Sequence, residues 1–244
     1  MTFNLVDVEQ VLQKKSWWAM IFILPIAKRI SLLIANKTQI TPNQITLFSF
    51  IFILPACYFF SLGTQFGFLM GAIFFEINYL FDCVDGTIAR LKNLSSHFGG
   101  YLDGMLDRIR IVLLCVCFGL GSYRFSGSIL SLVLLVAYLG INNLIIISRA
   151  YQARIFVKIG QKGRKGTELV SQNRKGILGR WIDFTAKRNV MPYYHDVELD
   201  SLVFVVGPLL MIFPLTIIIA VLLGFILLIA INILFVISMK KELV

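Results

Sequence analysis

Asp82-Cys83-Val84-Asp85-Gly86-Thr87-Ile88-Ala89-Arg90 and, eight residues on, Gly99-Gly100-Tyr101-Leu102-Asp103-Gly104-Met105-Leu106-Asp107 set four carboxylates into a chain that is otherwise overwhelmingly apolar. The run before them, 66–81, carries one charge, Glu76, and the run after them, 111–123, carries none. Acids at the end of a membrane-length apolar helix are costly. They call for a partner: a cation, a base or a metal ion.

Their spacing says how they meet. Asp82, Asp85 and Ala89 fall at i, i+3 and i+7, and Gly99, Asp103 and Asp107 at i, i+4 and i+8. Each set shares one face of a helix. Between them, Asn93, Ser95, Ser96 and His97 give a turn-like composition. The expected object is a helical hairpin whose two helices bring two acids each to a common mouth. Carboxylates packed so closely repel, and a hard divalent cation, or a pair of them, relieves this. Oxygen ligands suit Mg, Mn or Ca rather than Zn. Two such ions about 4 Å apart form the usual clamp for phosphoryl transfer. Gly86 and Ala89 are small and leave room for a ligand to approach the backbone, and Arg90 offers bidentate reach to phosphate.

The motif D-x-x-D-G-x-x-A-R, eight residues, then G-x-x-x-D-x-x-x-D resembles the signature of the CDP-alcohol phosphotransferase (CDP-alcohol phosphatidyltransferase) family, class I, at every fixed position. The resemblance implies a membrane enzyme that moves a substituted phosphate from a CDP-linked donor to an alcohol acceptor and releases CMP. It implies that Asp82, Asp85 and Asp103 bind two divalent ions, Mg2+ or Mn2+. It implies that Asp107 touches the second ion and takes the proton of the attacking hydroxyl. Gly86, Ala89, Arg90 and Ser96 are then contacts to the CDP part, and so is Asn43, in the segment Thr41-Pro42-Asn43-Gln44-Ile45-Thr46, which this family often carries. A homodimer is usual for the family. The donor is expected to be CDP-diacylglycerol, in phospholipid biosynthesis; the same chemistry with a CDP-linked small alcohol and a lipid acceptor stays open.

Composition bounds the class. Of the 244 residues, 58% are hydrophobic and 15% charged, with mean hydropathy +0.83, which belongs to an all-α polytopic membrane protein. The net charge of +10 reads as cytoplasmic loop excess and membrane-surface attraction, not as a nucleic-acid footprint. Cys57, Cys83, Cys115 and Cys117 lie in apolar runs without metal-ligand spacing and read as small core residues. No cleavable signal peptide is expected, since the first fifteen residues are polar and include Asp7 and Glu9.

Along the chain, 1–40 reads as a cytoplasmic, interfacial segment. Its apolar run from Trp17 to Ala27 is short, interrupted by Pro25 and closed by Lys28-Arg29, and Trp17-Trp18 beside Lys14-Lys15 suits an amphipathic helix lying in the interface. Residues 41–240 then read as a six-helix membrane domain with spans over 42–62, 66–91, 99–123, 128 to past 148, 198–213 and 215–239. Thr41 caps the first and Pro42 starts it. The fifth is the weakest, because its apolar core is short. A basic loop, 150–197, separates the fourth from the fifth. The basic residues before the first span and in that loop, against Arg124 alone on the other side, put both termini and the acidic mouth on the cytoplasmic side of the membrane. Arg149 and Arg154, at the cytoplasmic end of the fourth span, are candidates for holding an acceptor phosphate. A second interfacial helix is expected over 177–184, and His195 reads as a loop residue rather than a ligand.

Two other readings compete. A salt-bridged helix pair would use Arg90, Arg108 and Arg110, one per acid, but has no need of the glycines and alanine where they fall. A cation or proton transporter would want its acids near mid-membrane, whereas these gather at one end.

Overall fold

The computed structural model describes residues 2–12, 16–158, 177–188 and 190–240, and every regular element among them is a helix. Helix α1, Leu5–Val11, is short and closed by a reciprocal cap: Asn4 Oδ1 accepts from the Asp7 amide and Asp7 Oδ2 from the Asn4 amide. Helix α2, Ala19–Lys37, follows. Then come α3, Pro42–Ser61; α4, Gln65–Leu91; α5, His97–Ser126; and α6, Leu130–Lys158. Helix α7, Ile177–Lys187, takes up the expected 177–184 segment. Helix α8, 196–210, is made of Asp196–Ser201, Leu202–Val206 and Gly207–Leu210, and α9 is Phe213–Lys240.

Five helices among the described residues are long and apolar enough to cross a membrane: Ala19–Lys37, Pro42–Ser61, Gln65–Leu91, Leu130–Val157 and Phe213–Met239. Four of these are expected spans. Helix α5, the expected third, has the length but not the composition, because its first half carries Asp103, Asp107, Arg108 and Arg110. The expected fifth is the fifteen-residue α8, short and irregular. In exchange α2 qualifies, so the expected interruption at Pro25 does not occur. The reason is local. Residues Ala19–Ile23 form a π turn, in which the Leu24 amide reaches the Ala19 carbonyl, and Pro25 falls in the first turn of the α-helix that follows, where its missing N–H is least felt. Helix α8 repeats the device: the Gly207 amide reaches the Leu202 carbonyl, and Pro208 comes next. A milder break in α3 falls at Phe52, three residues ahead of Pro55.

The bundle centre is aromatic. Phe60 of α3, Phe68 of α4, Phe118 of α5, Phe204 of α8 and Phe213 of α9 interlock, with Phe60 and Phe118 ring centroids 5.1 Å apart and Phe118 and Phe213 5.6 Å apart. Since lipid tails are as apolar as these rings, close packing rather than burial from water holds such a centre together. Gly121 lets α5 run against α3, because a Cβ there would fall onto the Phe60 carbonyl oxygen. Gly63, at φ +65°, makes the tight turn from α3 to α4. A second, smaller core joins α2 to α3 and α4 through Ala19, Ile23, Ala27, Ile45, Val84 and Ile88. Together the two cores fix where α3, α4 and α5 meet, and the acids lie at that junction.

Candidate active site

Helix α4 ends at Leu91 and α5 begins at His97, so the hairpin expected around the motif forms. Ser96 caps α5, its Oγ accepting from the Gly99 amide at 3.0 Å. Helix α3 supplies a third wall. Its start is held by Thr41, whose Oγ1 accepts from the Gln44 amide while Gln44 Oε1 accepts from the Thr41 amide at 2.9 Å.

The carboxylates of Asp82, Asp103 and Asp107 converge, each with an oxygen within 4.8 Å of the others. They surround a void of about 10 Å³, room for one water-sized particle, which Thr46, Ser49, Asn78 and Arg110 help to enclose. Asp85 is buried and turned elsewhere: Thr46 Oγ1 donates to its Oδ2 at 2.6 Å. It faces an adjoining cavity of about 190 Å³. Every residue expected to touch the nucleotide lines that cavity: Asn43, Gly86, Ala89, Arg90 and Ser96. Asp103 lines both spaces and so joins them. A Cβ on Gly99 would come within 2.9 Å of Asn43 Oδ1, so the glycine lets α3 and α5 close over the cavity.

The three basic residues near the motif take different partners. Arg110 is buried, with Nη2 2.9 Å from Asp107 Oδ1, Nη1 3.8 Å from Asp82 Oδ1, and Nη1 donating to Asn78 Oδ1 at 2.9 Å. Asn78 is fixed in turn by donating to the Ser49 carbonyl at 2.9 Å. Arg108 leaves the cluster and donates to Asn142 Oδ1 at 2.6 Å, beside the buried pair of Tyr138 and Asp200, whose hydroxyl and carboxylate are 2.5 Å apart. Arg90 donates through Nε to the Val11 carbonyl at 2.8 Å, leaving its buried Nη2 without a hydrogen-bond partner at the edge of the cavity. Among the described residues, Arg110 is thus shared by two of these carboxylates, Asp82 and Asp107. Hard oxygen donors at this spacing fit a divalent cation, which Asp82, Asp103 and Asp107 would hold.

Thr46 and Asn78 carry no expected role in the sequence, and Arg110 is not interchangeable at the site with Arg90 and Arg108. Thr46 lies in the Thr41–Thr46 segment, one turn beyond Pro42. Asn78 lies four residues before Asp82, on the same face of α4, and that spacing was the available signal. Arg149 and Arg154 do not line the cavity. Arg149 pairs with Asp196 at 3.6 Å, and Arg154 lies 5.9 Å from the Tyr151 ring centroid. His195 caps α8, its amide donating to Glu198 Oε2 at 2.8 Å, while its ring touches Asp196. Burial, and then the nearby Arg149, push its pKa down to about 4.

A family model described as CDP-alcohol phosphatidyltransferase matches residues 39–171, more than half of the chain, and that span contains every candidate site residue named above from Asn43 to Arg154. An archaetidylinositol phosphate synthase of Pyrococcus horikoshii is 34% identical over 96 residues, 38% of this chain and 49% of that protein. Bifunctional IPC transferase and DIPP synthases of Aquifex aeolicus and Archaeoglobus fulgidus are 35% and 37% identical over 83 residues, 34% of this chain and 18% and 16% of theirs. The chain thus matches about half the length of the first relative and under a fifth of the other two.

Proposed function

This chain belongs to the CDP-alcohol phosphatidyltransferase family, and we propose from that membership and the geometry of the hairpin that it transfers a substituted phosphate from a CDP-linked donor, CDP-diacylglycerol, to an alcohol, releasing CMP. The observation that carries the reading is the adjacency of two spaces. An ion-sized void ringed by Asp82, Asp103 and Asp107 opens, through Asp103, onto the cavity of Asn43, Gly86, Ala89, Arg90 and Ser96. Two divalent ions, Mg2+ or Mn2+, bound at Asp82, Asp85, Asp103 and Asp107 would neutralise the pyrophosphate and the charge developing on the leaving group.

The residues divide the remaining work. Gly86 and Ala89 keep α4 bare of side chains, so that the nucleotide can lie against its backbone. The unpartnered Nη2 of Arg90 is placed to donate to a phosphate oxygen. Thr46 holds Asp85 in one rotamer. Asp107 accepts the proton of the acceptor hydroxyl as its oxygen bonds to the phosphorus distal to cytidine. The bond from that phosphorus to the bridging oxygen breaks, and CMP leaves with the electron pair. Arg110, fixed by Asn78, keeps Asp107 directed into the void until then. Confining both substrates at one mouth supplies much of the remaining acceleration.

The name of the Pyrococcus relative supports a phosphorylated polyol, inositol phosphate, as the acceptor. The acceptor's phosphate would then need a cation at the entrance, and Arg149, followed by Arg154, is the proposed one. The protein is proposed to be a multi-pass homodimer of the cytoplasmic membrane with the acidic mouth toward the cytoplasm, in keeping with the distribution of its basic residues.

The test is CMP release by the purified protein from CDP-diacylglycerol, across a panel of inositol phosphate, glycerol phosphate, serine and inositol, with and without Mg2+ or Mn2+. Release with one acceptor, abolished by EDTA and restored by either ion, is the expected result. A reverse panel with CDP-choline or CDP-ethanolamine and a lipid alcohol assigns donor and acceptor the other way round. No release from any CDP donor with either ion, together with no affinity for cytidine nucleotides, overturns the proposal.

A further inference from the structure

A groove of about 440 Å³ lies between α1, α2 and the C-terminal end of α7, and it shares no lining residue with the cavity at the acidic mouth. Its floor is apolar: Leu12 follows α1, and Met20, Leu24 and Pro25 belong to α2. Its rim is basic, with Lys28, Lys187 and Arg188. Glu9, the acid at this rim, is spoken for, since Lys28 Nζ lies 2.7 Å from its Oε1 and holds its carboxyl below the usual range. Lys187 and Arg188 are exposed and carry the remaining positive charge. Arg188 is held in place by the face of Phe184, its guanidinium carbon 3.8 Å from the ring centroid.

The same corner carries an aromatic stack. Trp17, just ahead of α2, lies 5.6 Å from Trp181 of α7, and Trp181 lies 5.9 Å from Phe184. Trp181 Nε1 donates to the Pro192 carbonyl at 2.7 Å, which pins α7 against the chain that follows it. Trp181 and Phe184 nevertheless remain more than two-fifths exposed, as do Ile21, Phe22 and Ile26 along α2. Exposed aromatics and aliphatics beside a row of cations are what a helix needs to lie at the boundary between headgroups and acyl chains.

We infer that this groove is a binding site for the headgroup of an anionic phospholipid, with its phosphate against Lys187 and Arg188 and the start of an acyl chain on Leu12, Met20, Leu24 and Pro25. Charge complementarity selects the lipid class. A soluble anion would satisfy the rim but leave the apolar floor wet, and a zwitterionic lipid would cover the floor but bring a choline cation to a basic rim. The site is separate from the proposed donor cavity, so the inference does not depend on the chemistry assigned there.

The test uses the full chain in neutral detergent micelles, titrated with brominated phosphatidylglycerol or brominated phosphatidylcholine. Quenching of tryptophan fluorescence reports occupancy beside Trp17 and Trp181. Phosphatidylglycerol is expected to bind more tightly, its affinity falling with added salt while that of phosphatidylcholine does not. The double substitution Lys187→Gln with Arg188→Gln, at two exposed positions, is expected to weaken phosphatidylglycerol roughly thirtyfold. Arg124→Gln, at an exposed cation that lines neither the groove nor the donor cavity, is expected to leave it unchanged. Equal affinity for the two lipids, an unaltered affinity in the double variant, an equal loss in Arg124→Gln, or displacement by inorganic phosphate each overturns the inference.

Discussion

Arg110 Nη2 stands 2.9 Å from Asp107 Oδ1, one turn back along the same helix, with the guanidinium buried and a second acid, Asp82, 3.8 Å from its other nitrogen. A buried cation so placed serves the folded state in a specific way. Without it, the acids at the hairpin mouth would face one another across a low-dielectric gap whenever no ion was present. With it, the cluster is partly balanced and keeps enough negative charge to attract a cation.

Arg110→Met therefore exposes the repulsion. Removing one partner of a buried pair costs about 3–5 kcal/mol, so the melting temperature in detergent should fall. Millimolar Mn2+ should raise it more in the variant than in the parent, because the ion then does the balancing alone. An equal rise in both proteins would show that Arg110 and the ion do not act on the same acids.

Asp107→Asn keeps the shape and the pairing geometry but removes a base. CMP release should drop by about 10²–10⁴-fold, while equilibrium binding of the CDP-linked donor stays within a few-fold. Normal turnover in this variant would assign the proton acceptor elsewhere.

Thr46 reaches Asp85 from a different helix, so it is a clean probe of positioning. Thr46→Val removes the 2.6 Å hydrogen bond and leaves a buried carboxylate short of a donor. The expected result is a 10- to 100-fold higher requirement for Mg2+ or Mn2+, about what loss of an orienting partner costs a metal site. Thr46→Ser should recover most of it. If Val and Ser behave alike, the hydroxyl has no part in holding Asp85.

Gly121 tests the packing that sets the hairpin against α3. Gly121→Ala puts a methyl group onto the Phe60 carbonyl, a backbone atom that cannot swing aside. Overpacking of this sort costs about 1–3 kcal/mol, read as a lower melting temperature. Gly100, where an added Cβ meets nothing within 4 Å, is the control, and Gly100→Ala should leave stability unchanged or slightly raised.

His195 gives a pH dependence whose sign can be worked out. Its pKa is lowered to about 4 in the folded chain, mainly by burial, against about 6.5 when unfolded. The unfolded chain therefore binds more protons between those values. Stability is full above pH 6.5 and declines as the pH falls toward 4, by about 3 kcal/mol over the window. His195→Gln should flatten the part of the melting-temperature curve between pH 7 and 4.5 that the parent shows. A parallel curve in the variant would mean that the decline comes from other groups.

The helical content, the hairpin and the facing of its acids were legible because they depend on periodicity within one helix. Asp103 and Asp107 at i and i+4 must share a face whatever surrounds them, and Thr41-Pro42 caps a helix by contacts three residues long. That Gly86, Ala89, Arg90, Ser96 and Asn43 line one cavity has a similar reason, since four of the five belong to the hairpin or its turn and Asn43 to the capped start of α3. Other features were not local. Pro25 reads as an interruption, yet a π turn upstream lets the helix continue through it. Residues 198–213 read as a span, yet the π turn at 202–206 and the left-handed Met211 shape that segment into a short irregular helix. Arg149 reads as a candidate for an acceptor phosphate, and that Asp196, far along the sequence, comes within 3.6 Å of it is visible only in the fold.

The amino-acid order alone thus determined the hairpin, the face on which each of its acids stands and the end of the bundle at which they gather, because hydropathy and a period of 3.6 residues act over a few turns. The folded arrangement decided the partner that each cation received. Arg90, Arg108 and Arg110 are equivalent in charge and nearly so in position along the chain, and only the packing of α1, α3 and α6 around the hairpin sends the first to a carbonyl, the second to an asparagine and the third to Asp107.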